Sequence, residues 1–255
     1  MSLFVSFEGG EGSGKSTQAK LLRDRLSEAG HPVLLVHEPG TTPLGLYLRE
    51  RLKRQTRQED IISPSAELFL FAAARAELAA KVIKPFLARR GAVVLSDRYM
   101  DSTTAYQGHG RRIDLSKIQV VNELATQGTV PDLTFLLDLS PEDGLARIRA
   151  KLTLEQGKET AHQRQDREGM RRFEEETLAF HRRVRDGYLK LAQQEPVRWR
   201  LLDATRPVDD LAAVVWAEVE AHLRREPSGG EDVQPGLMPI GERPPDDAAK
   251  KTRKG

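Results

Sequence analysis

From Gly9 to Ser16 the chain reads GGEGSGKS, with Thr17 next. Glycines, lysine and hydroxyl fall at the G-x-x-x-x-G-K-[ST] spacing, and these types in this order suit the holding of a polyphosphate. Glycines let successive backbone N–H groups converge on phosphate oxygens, the Lys15 ammonium reaches the β and γ phosphates, and the Ser16 hydroxyl ligates Mg²⁺. An apolar strand leads in and a helix opens near Lys15, so the N–H groups stand at a helix N-terminus, where an anion is favoured. A glycine-rich turn that bound nothing would need neither the lysine nor the hydroxyl. Gly9, Gly10, Glu11, Gly12, Ser13, Gly14, Lys15, Ser16 and Thr17 are therefore expected to cradle a nucleoside triphosphate.

A second set lies past two other apolar runs. Glu38-Pro39-Gly40 follows one and Asp97-Arg98-Tyr99 another, and strand ends in an open α/β sheet face the ligand crevice. Arg98 can fork onto the phosphate of an acceptor, while Asp97 beside it either holds Mg²⁺ through water or orients Arg98. Phe71 and Arg75 stand i, i+4 apart on one helix face; taken alone, Phe71 reads as core packing beside Phe69 and Leu70. The Asn/Thr-Lys-x-Asp motif of guanine-nucleotide switches does not occur. Phosphoryl transfer fits the set, because that reaction asks for in-line positioning and for cations around the migrating group.

Such residues need a scaffold. The runs Leu3 to Phe7, Val33 to Val36, Ala92 to Leu95, Leu133 to Leu139 and Trp199 to Leu202 read as five strands. They are apolar throughout rather than alternating, as in a parallel sheet covered on both faces. Helices predicted over Lys15–Ala29 (stopped by Gly30), Thr42–Arg54, Ser65–Arg90, Leu115–Gly128, Phe173–Gln194 and Val208–Arg225 supply the cover, and Pro85 should bend or break the third. The fold class is α/β, a doubly wound, five-stranded parallel sheet flanked by helices, in one domain over residues 1–225. From Arg147 to Arg172 the rhythm gives way to basic and glutamine residues, which read as a mobile lid. Residues 226–255 carry five prolines and a basic end; they lack the apolar surface to offset ordering entropy and are expected to form a disordered tail.

The 255 residues are 38% hydrophobic and 31% charged with a net charge of +2, the balance of a soluble globular protein rather than a disordered one, and the near match of basic and acidic residues does not argue for a nucleic-acid binder. There is no cysteine, which excludes disulfides and thiolate chemistry. No basic leader and no long apolar run is visible, so a cytoplasmic location away from the membrane is expected. Six histidines show no ligand spacing and are assigned no chemistry.

In order and spacing, FEGGEGSGKSTQ, HEPGTTPLG, ELFLFAAARAE, SDRYMDSTTAYQG, PDLTFLLDLSPEDGLAR, RRFEEETLAFHRRVRDGYLKLA and LLDATRP closely resemble the bacterial thymidylate kinases, from about Phe4 to Leu223. The resemblance implies a P-loop nucleoside monophosphate kinase fold, a homodimer, and transfer of the γ-phosphoryl of ATP to dTMP with Mg²⁺, giving dTDP and ADP in dTTP synthesis. It implies that Lys15, Arg98 and Asp97 serve catalysis, that Ser16 and Asp97 serve the metal, and that Glu38 belongs to the substrate site. Phe71 would stack on thymine and Arg75 would bond the base edge. Thr103, Tyr106 and Gln107 would meet the thymine and deoxyribose, with Tyr106 crowding the place of a 2′-hydroxyl and Glu11 near the 3′-hydroxyl.

Members of that family carry a phosphate-clamping arginine in the P-loop or in the lid. Here Gly12 follows Glu11, so the lid must supply it: Arg149 is the first choice, ahead of Arg147 beside it, and Arg172 the second. The stretch LTLEQGKETAHQRQ lengthens the lid, and Asp166-Arg167-Glu168 is an alternative closing segment. His37 and Thr41 are smaller departures, standing where an arginine and a glycine are usual.

Overall fold

The computed structural model describes residues 2–53, 62–155, 173 and 176–224. Strand β1 (Leu3–Glu8) is buried along its whole length because it is the middle strand. It pairs in parallel with β3 (Val93–Asp97) on one side and β4 (Leu133–Asp138) on the other. With β2 (Val33–His37) and β5 (Trp199–Asp203) outside them, the order is β2-β3-β1-β4-β5, all parallel. Connections run to opposite sides of β1, which opens a crevice at the carboxyl ends of β1 and β3.

Alternation along β1 builds a core on each face. Leu3, Val5 and Phe7 pack with Ala19, Leu22 and Leu26 of α1 (Lys15–Glu28) and with Leu211, Val215 and Val219 of α9 (Val208–Arg224). Phe4 turns to the other face, among Val36, Val94 and Tyr99 and the residues Leu78 and Ile83. Each such large side chain contributes about 1.5–3 kcal/mol when fully buried. The remaining β1 residues on that face, Ser6 and Glu8, are polar and satisfied. Ser6 Oγ lies 2.9 Å from Thr134 Oγ1, which also accepts from Arg198 at 2.9 Å. Glu8 leads into the site described below.

The remaining helices are α2 (Pro43–Lys53), α3 (Pro64–Leu78), α4 (Lys84–Leu87), α5 (Met100–Thr103), α6 (Leu115–Thr126), α7 (Pro141–Glu155) and α8 (Leu178–Gln194). The helix expected over Ser65–Arg90 is interrupted just ahead of Pro85. One wide turn, Ala79–Ile83, precedes it, with the Lys84 N–H donating to Ala79 O five residues back. Pro85 then falls in the first turn of α4, where its missing N–H is no loss. The helix predicted from Phe173 starts instead at Leu178, because the Thr177 side chain accepts the Phe180 N–H at 3.2 Å and caps it.

Two helical segments lack a sequence expectation. One is α5 with its wide continuation Thr104–Gly110, and the other is α7, capped by Ser140, whose Oγ accepts the Asp143 N–H at 3.1 Å. Residues Arg147–Glu155 of the expected lid are thus the end of α7, and its remainder to Arg172 lies outside the described residues, as does the expected tail from 226 to 255. Among the described residues no helix is long and apolar enough to cross a membrane.

Candidate active site

Gly14 takes the left-handed conformation (φ 94°) and caps α1, whose Thr17 and Gln18 N–H groups both reach Gly14 O at 3.1 Å. Lys15 folds over the loop, its Nζ 2.7 Å from Gly10 O and 3.3 Å from Ser13 Oγ. Burial and then Arg98 bring its ammonium down to about 8, against the opposing pull of Glu11, Asp97 and Glu8. Gly12 has φ 70°, and a Cβ there would stand 2.3 Å from Gly144 O in the first turn of α7. The loop thus packs backbone to backbone on α7, which leaves no room for an arginine at position 12.

At the neighbouring strand end, the Ser16 hydroxyl donates to the Asp97 carboxylate. Arg98 sits at φ 71°, a costly conformation for a residue with a Cβ. Its N–H is tied to Phe7 O at 3.0 Å and its carbonyl to Ser96 Oγ at 2.6 Å. Through Nη1 its side chain meets Gly9 O (3.1 Å), Ser102 Oγ (3.2 Å) and Tyr188 OH (3.2 Å), and through Nη2 it meets Glu11 Oε1 (2.8 Å) and Tyr106 OH (3.0 Å). Burial works against the Glu11 charge, yet Arg98 and Lys15 hold that carboxyl down at about 2. Behind the arginine, Glu8 accepts from the Tyr99 N–H (2.7 Å), Ser102 Oγ (2.6 Å) and Tyr188 OH (2.9 Å). Burial and the nearby Asp101 push the Glu8 carboxyl up to about 7.

Farther along the cavity, Arg75 is fully buried. Its Nε donates to Glu38 Oε2 at 3.1 Å and its Nη2 to Glu38 Oε1, while Nη2 also reaches Thr103 Oγ1 at 2.8 Å and Nη1 reaches Asn122 Oδ1 at 2.8 Å. Glu38 is the counter-charge that aims Arg75. The Phe71 and Tyr106 rings each lie 5.9 Å from the ring of Phe173. Together these groups bound a cavity of about 460 Å³, a volume suited to a small-molecule site.

The cavity brings most of the expected residues together. Glu11 through Thr17, Glu38, Phe71, Arg75, Asp97, Arg98, Thr103, Tyr106 and Gln107 all line it. Gly9 and Gly10 stand behind it and supply the carbonyls that Arg98 and Lys15 bind. Arg149 is exposed and is not among the lining residues; the cavity side of α7 carries Arg147, Ile148 and Lys151 instead. Positions 147 and 151 share a helix face from which position 149 is turned away. Arg172, and Arg167 with its neighbours, lie outside the described residues.

Sequence reasoning missed Arg49, which lines the cavity and donates to Pro39 O at 2.9 Å. In LYLRERLK nothing separates it from the exposed Arg51. It missed Tyr188 as well, which reaches Arg98 from α8, ninety positions along the chain. The RDGYLKLA pattern marks that tyrosine only as a residue on the apolar face of a helix.

A parallel sheet in this order, with a phosphate loop after β1 and an arginine-lined acceptor pocket beside it, defines a P-loop nucleoside monophosphate kinase. The thymidylate kinase family model matches residues 7–215. The thymidylate kinase of Roseiflexus castenholzii is 45% identical over 227 residues, covering 89% of this chain and 96% of the relative. That of Syntrophotalea carbinolica is 46% identical over 216 residues, covering 85% and 94%. The crystal structure of thymidylate kinase from Ehrlichia chaffeensis superposes with a TM-score of 0.64 at 31% identity, covering 86% of this chain and 98% of that one. The chain belongs to the thymidylate kinase family, a family of ATP-dependent phosphotransferases.

Proposed function

We propose that this chain moves the γ-phosphoryl of ATP onto the phosphate of dTMP, giving dTDP and ADP for dTTP synthesis, in a single cavity. One observation carries the reading. One cavity is lined by Lys15 and the P-loop, by Asp97 and Arg98, and by Phe71, Arg75 and Gln107; Asp97 and Arg98 meet the loop at Ser16 and Glu11, while Arg75 meets Thr103.

Lys15 leaves Gly10 O to meet the β and γ oxygens, and Arg98 and Arg49 hold the acceptor phosphate in line with them. Glu11 and Tyr106, bonded to each other at 2.8 Å, face the deoxyribose. Phe71 stacks on the thymine, an interaction worth about 1–3 kcal/mol. On α7, Arg147 and Lys151 are the cations placed to face the donor phosphates, while Arg172 stays a candidate from outside the described residues.

The donor set at Ser16 and Asp97 fits Mg²⁺, since both groups offer hard oxygens that meet directly. Ser16 and Asp97 are the residues that would hold the ion. At that pair the ion would supply neutralisation of charge on the transferring group.

Homodimerisation and a cytoplasmic location complete the proposal. In support of a dimer, Tyr47, Phe69, Val120 and Leu124 are exposed on the adjacent helices α2, α3 and α6. The reaction is tested with ATP labelled in its γ-phosphoryl group. Label is expected in dTDP, mole for mole with ADP; label released only as inorganic phosphate would contradict the reading.

A further inference from the structure

Glu67 is fully buried on α3 and belongs to none of the phosphate machinery. Its carboxylate receives Arg111 as a fork, from Nε at 3.2 Å and Nη2 at 3.1 Å, and Arg111 is held in turn by Glu176 through Nη1 at 2.5 Å. The same Glu67 Oε1 accepts the side-chain amide of Gln107 at 2.7 Å. A carboxylate paired with a guanidinium accepts and does not donate, so the Gln107 nitrogen must face it and the Gln107 carbonyl must face away.

The backbone of Gln107 is fixed as well, its carbonyl accepting the Ile113 N–H at 3.1 Å. Gln107 lines the cavity beside Phe71, Arg75 and Thr103, and among the described residues no donor meets its Oε1. Its neighbour Arg75 offers donors only, and Thr103 Oγ1 already accepts from Arg75, which leaves the threonine hydroxyl hydrogen to donate. At the base end the cavity therefore presents donors next to one oriented acceptor.

We infer that Glu67 is a specificity-positioning residue, which turns the Gln107 carbonyl toward the base so that it accepts the N3–H of a 4-oxo pyrimidine and opposes the bare N3 of a 4-amino one. A base with O4 beside N3–H matches donor and acceptor in turn. A cytosine-type base sets its amino group against Arg75 and its N3 lone pair against the Gln107 oxygen, and buried mismatches of this kind are the ones that discriminate strongly. The inference deepens the acceptor assignment above and rests on it.

The test compares dTMP with 5-methyl-dCMP, which keeps the methyl group and changes only N3 and the 4-substituent. Binding is read by calorimetry and kcat/KM by ADP release. Wild type is expected to prefer dTMP by about 10⁴-fold. In Glu67→Gln the amide nitrogen of the new side chain faces either Arg111 or Gln107, so the orientation of Gln107 is no longer imposed. The preference is expected to narrow by about tenfold or more while Arg75 retains its share. Gln107→Leu, which leaves the Glu67–Arg111 pair intact, is expected to narrow it similarly and covers the case that Glu67→Gln fails to fold. A merely structural role for Glu67 would lower activity toward both nucleotides together. An unchanged preference in the variants, with dTMP still turned over by wild type, overturns the inference and leaves the kinase assignment standing. A wild type that binds neither nucleotide overturns both.

Discussion

Ser16 and Asp97 are hydrogen-bonded to each other across the carboxyl ends of β1 and β3, although 81 positions separate them in sequence. These two oxygen donors are the pair proposed above to hold Mg²⁺. Asp97→Asn keeps the shape and weakens the charge. It is expected to raise the Mg²⁺ concentration for half-maximal activity, and to lower turnover, by about 10–100-fold. A Mg²⁺ titration that superimposes on wild type would remove Asp97 from the metal.

Lys15 brings a pH dependence to ATP binding. In the free site its ammonium titrates near 8 because of burial and Arg98, and bound polyphosphate raises that value by adding negative charge beside it. Binding above pH 8 therefore takes up a proton. The Kd for ATP is expected to rise between pH 8 and 10, by up to about tenfold per pH unit. Lys15→Met should bind weakly with a flat profile. An ATP affinity in wild type that does not change across this range would contradict the placement of the lysine.

The two arginines that open the lid separate cleanly on α7. Both are exposed, but Arg147 lines the cavity, with its Nη2 donating to Ala204 O at 3.0 Å, and Arg149 does not line it. Arg149→Ala is expected to stay within about twofold of wild-type kcat, as surface substitutions do. Arg147→Ala should lower kcat/KM by about tenfold or more. Steady-state kinetics in ATP decide the matter, and the reverse ranking would return the catalytic role to Arg149.

Gly12 is set by contact as well as by conformation. A side chain there meets Gly144 O at 2.3 Å while forced to keep φ near 70°. Gly12→Ala is expected to cost at least about 1–3 kcal/mol, and so to lower Tm by several degrees. A melting curve equal to wild type would show that the loop and α7 move apart freely.

Residues that act through local spacing were legible. The P-loop needs only consecutive positions, and the five strands announce themselves as apolar runs, although only β1, β3 and β4 are buried nearly throughout and the edge strands β2 and β5 are partly open. Strand ends gave Glu38, Asp97 and Arg98, and the family resemblance gave Phe71, Tyr106 and Gln107. What escaped was decided by tertiary contact. Glu8 and Tyr188 meet at 2.9 Å from opposite ends of the chain, and Glu67 reaches Gln107 across 40 positions. Pro85 announced an interruption of its helix but not its form, a wide turn just ahead of it that leaves the proline in the first turn of α4. Which of Arg147 and Arg149 lines the cavity depends on helix face, which a run of basic residues does not show.

In the proposed reaction Phe71, Arg75 and Gln107 select the thymine nucleotide as acceptor. The most direct measurement is ADP release from ATP and Mg²⁺ in the presence of dTMP, CMP, AMP or thymidine, each at the same concentration. Strong stimulation by dTMP, with the other three near the acceptor-free rate, is the expected result. Stimulation by CMP equal to that by dTMP would contradict it.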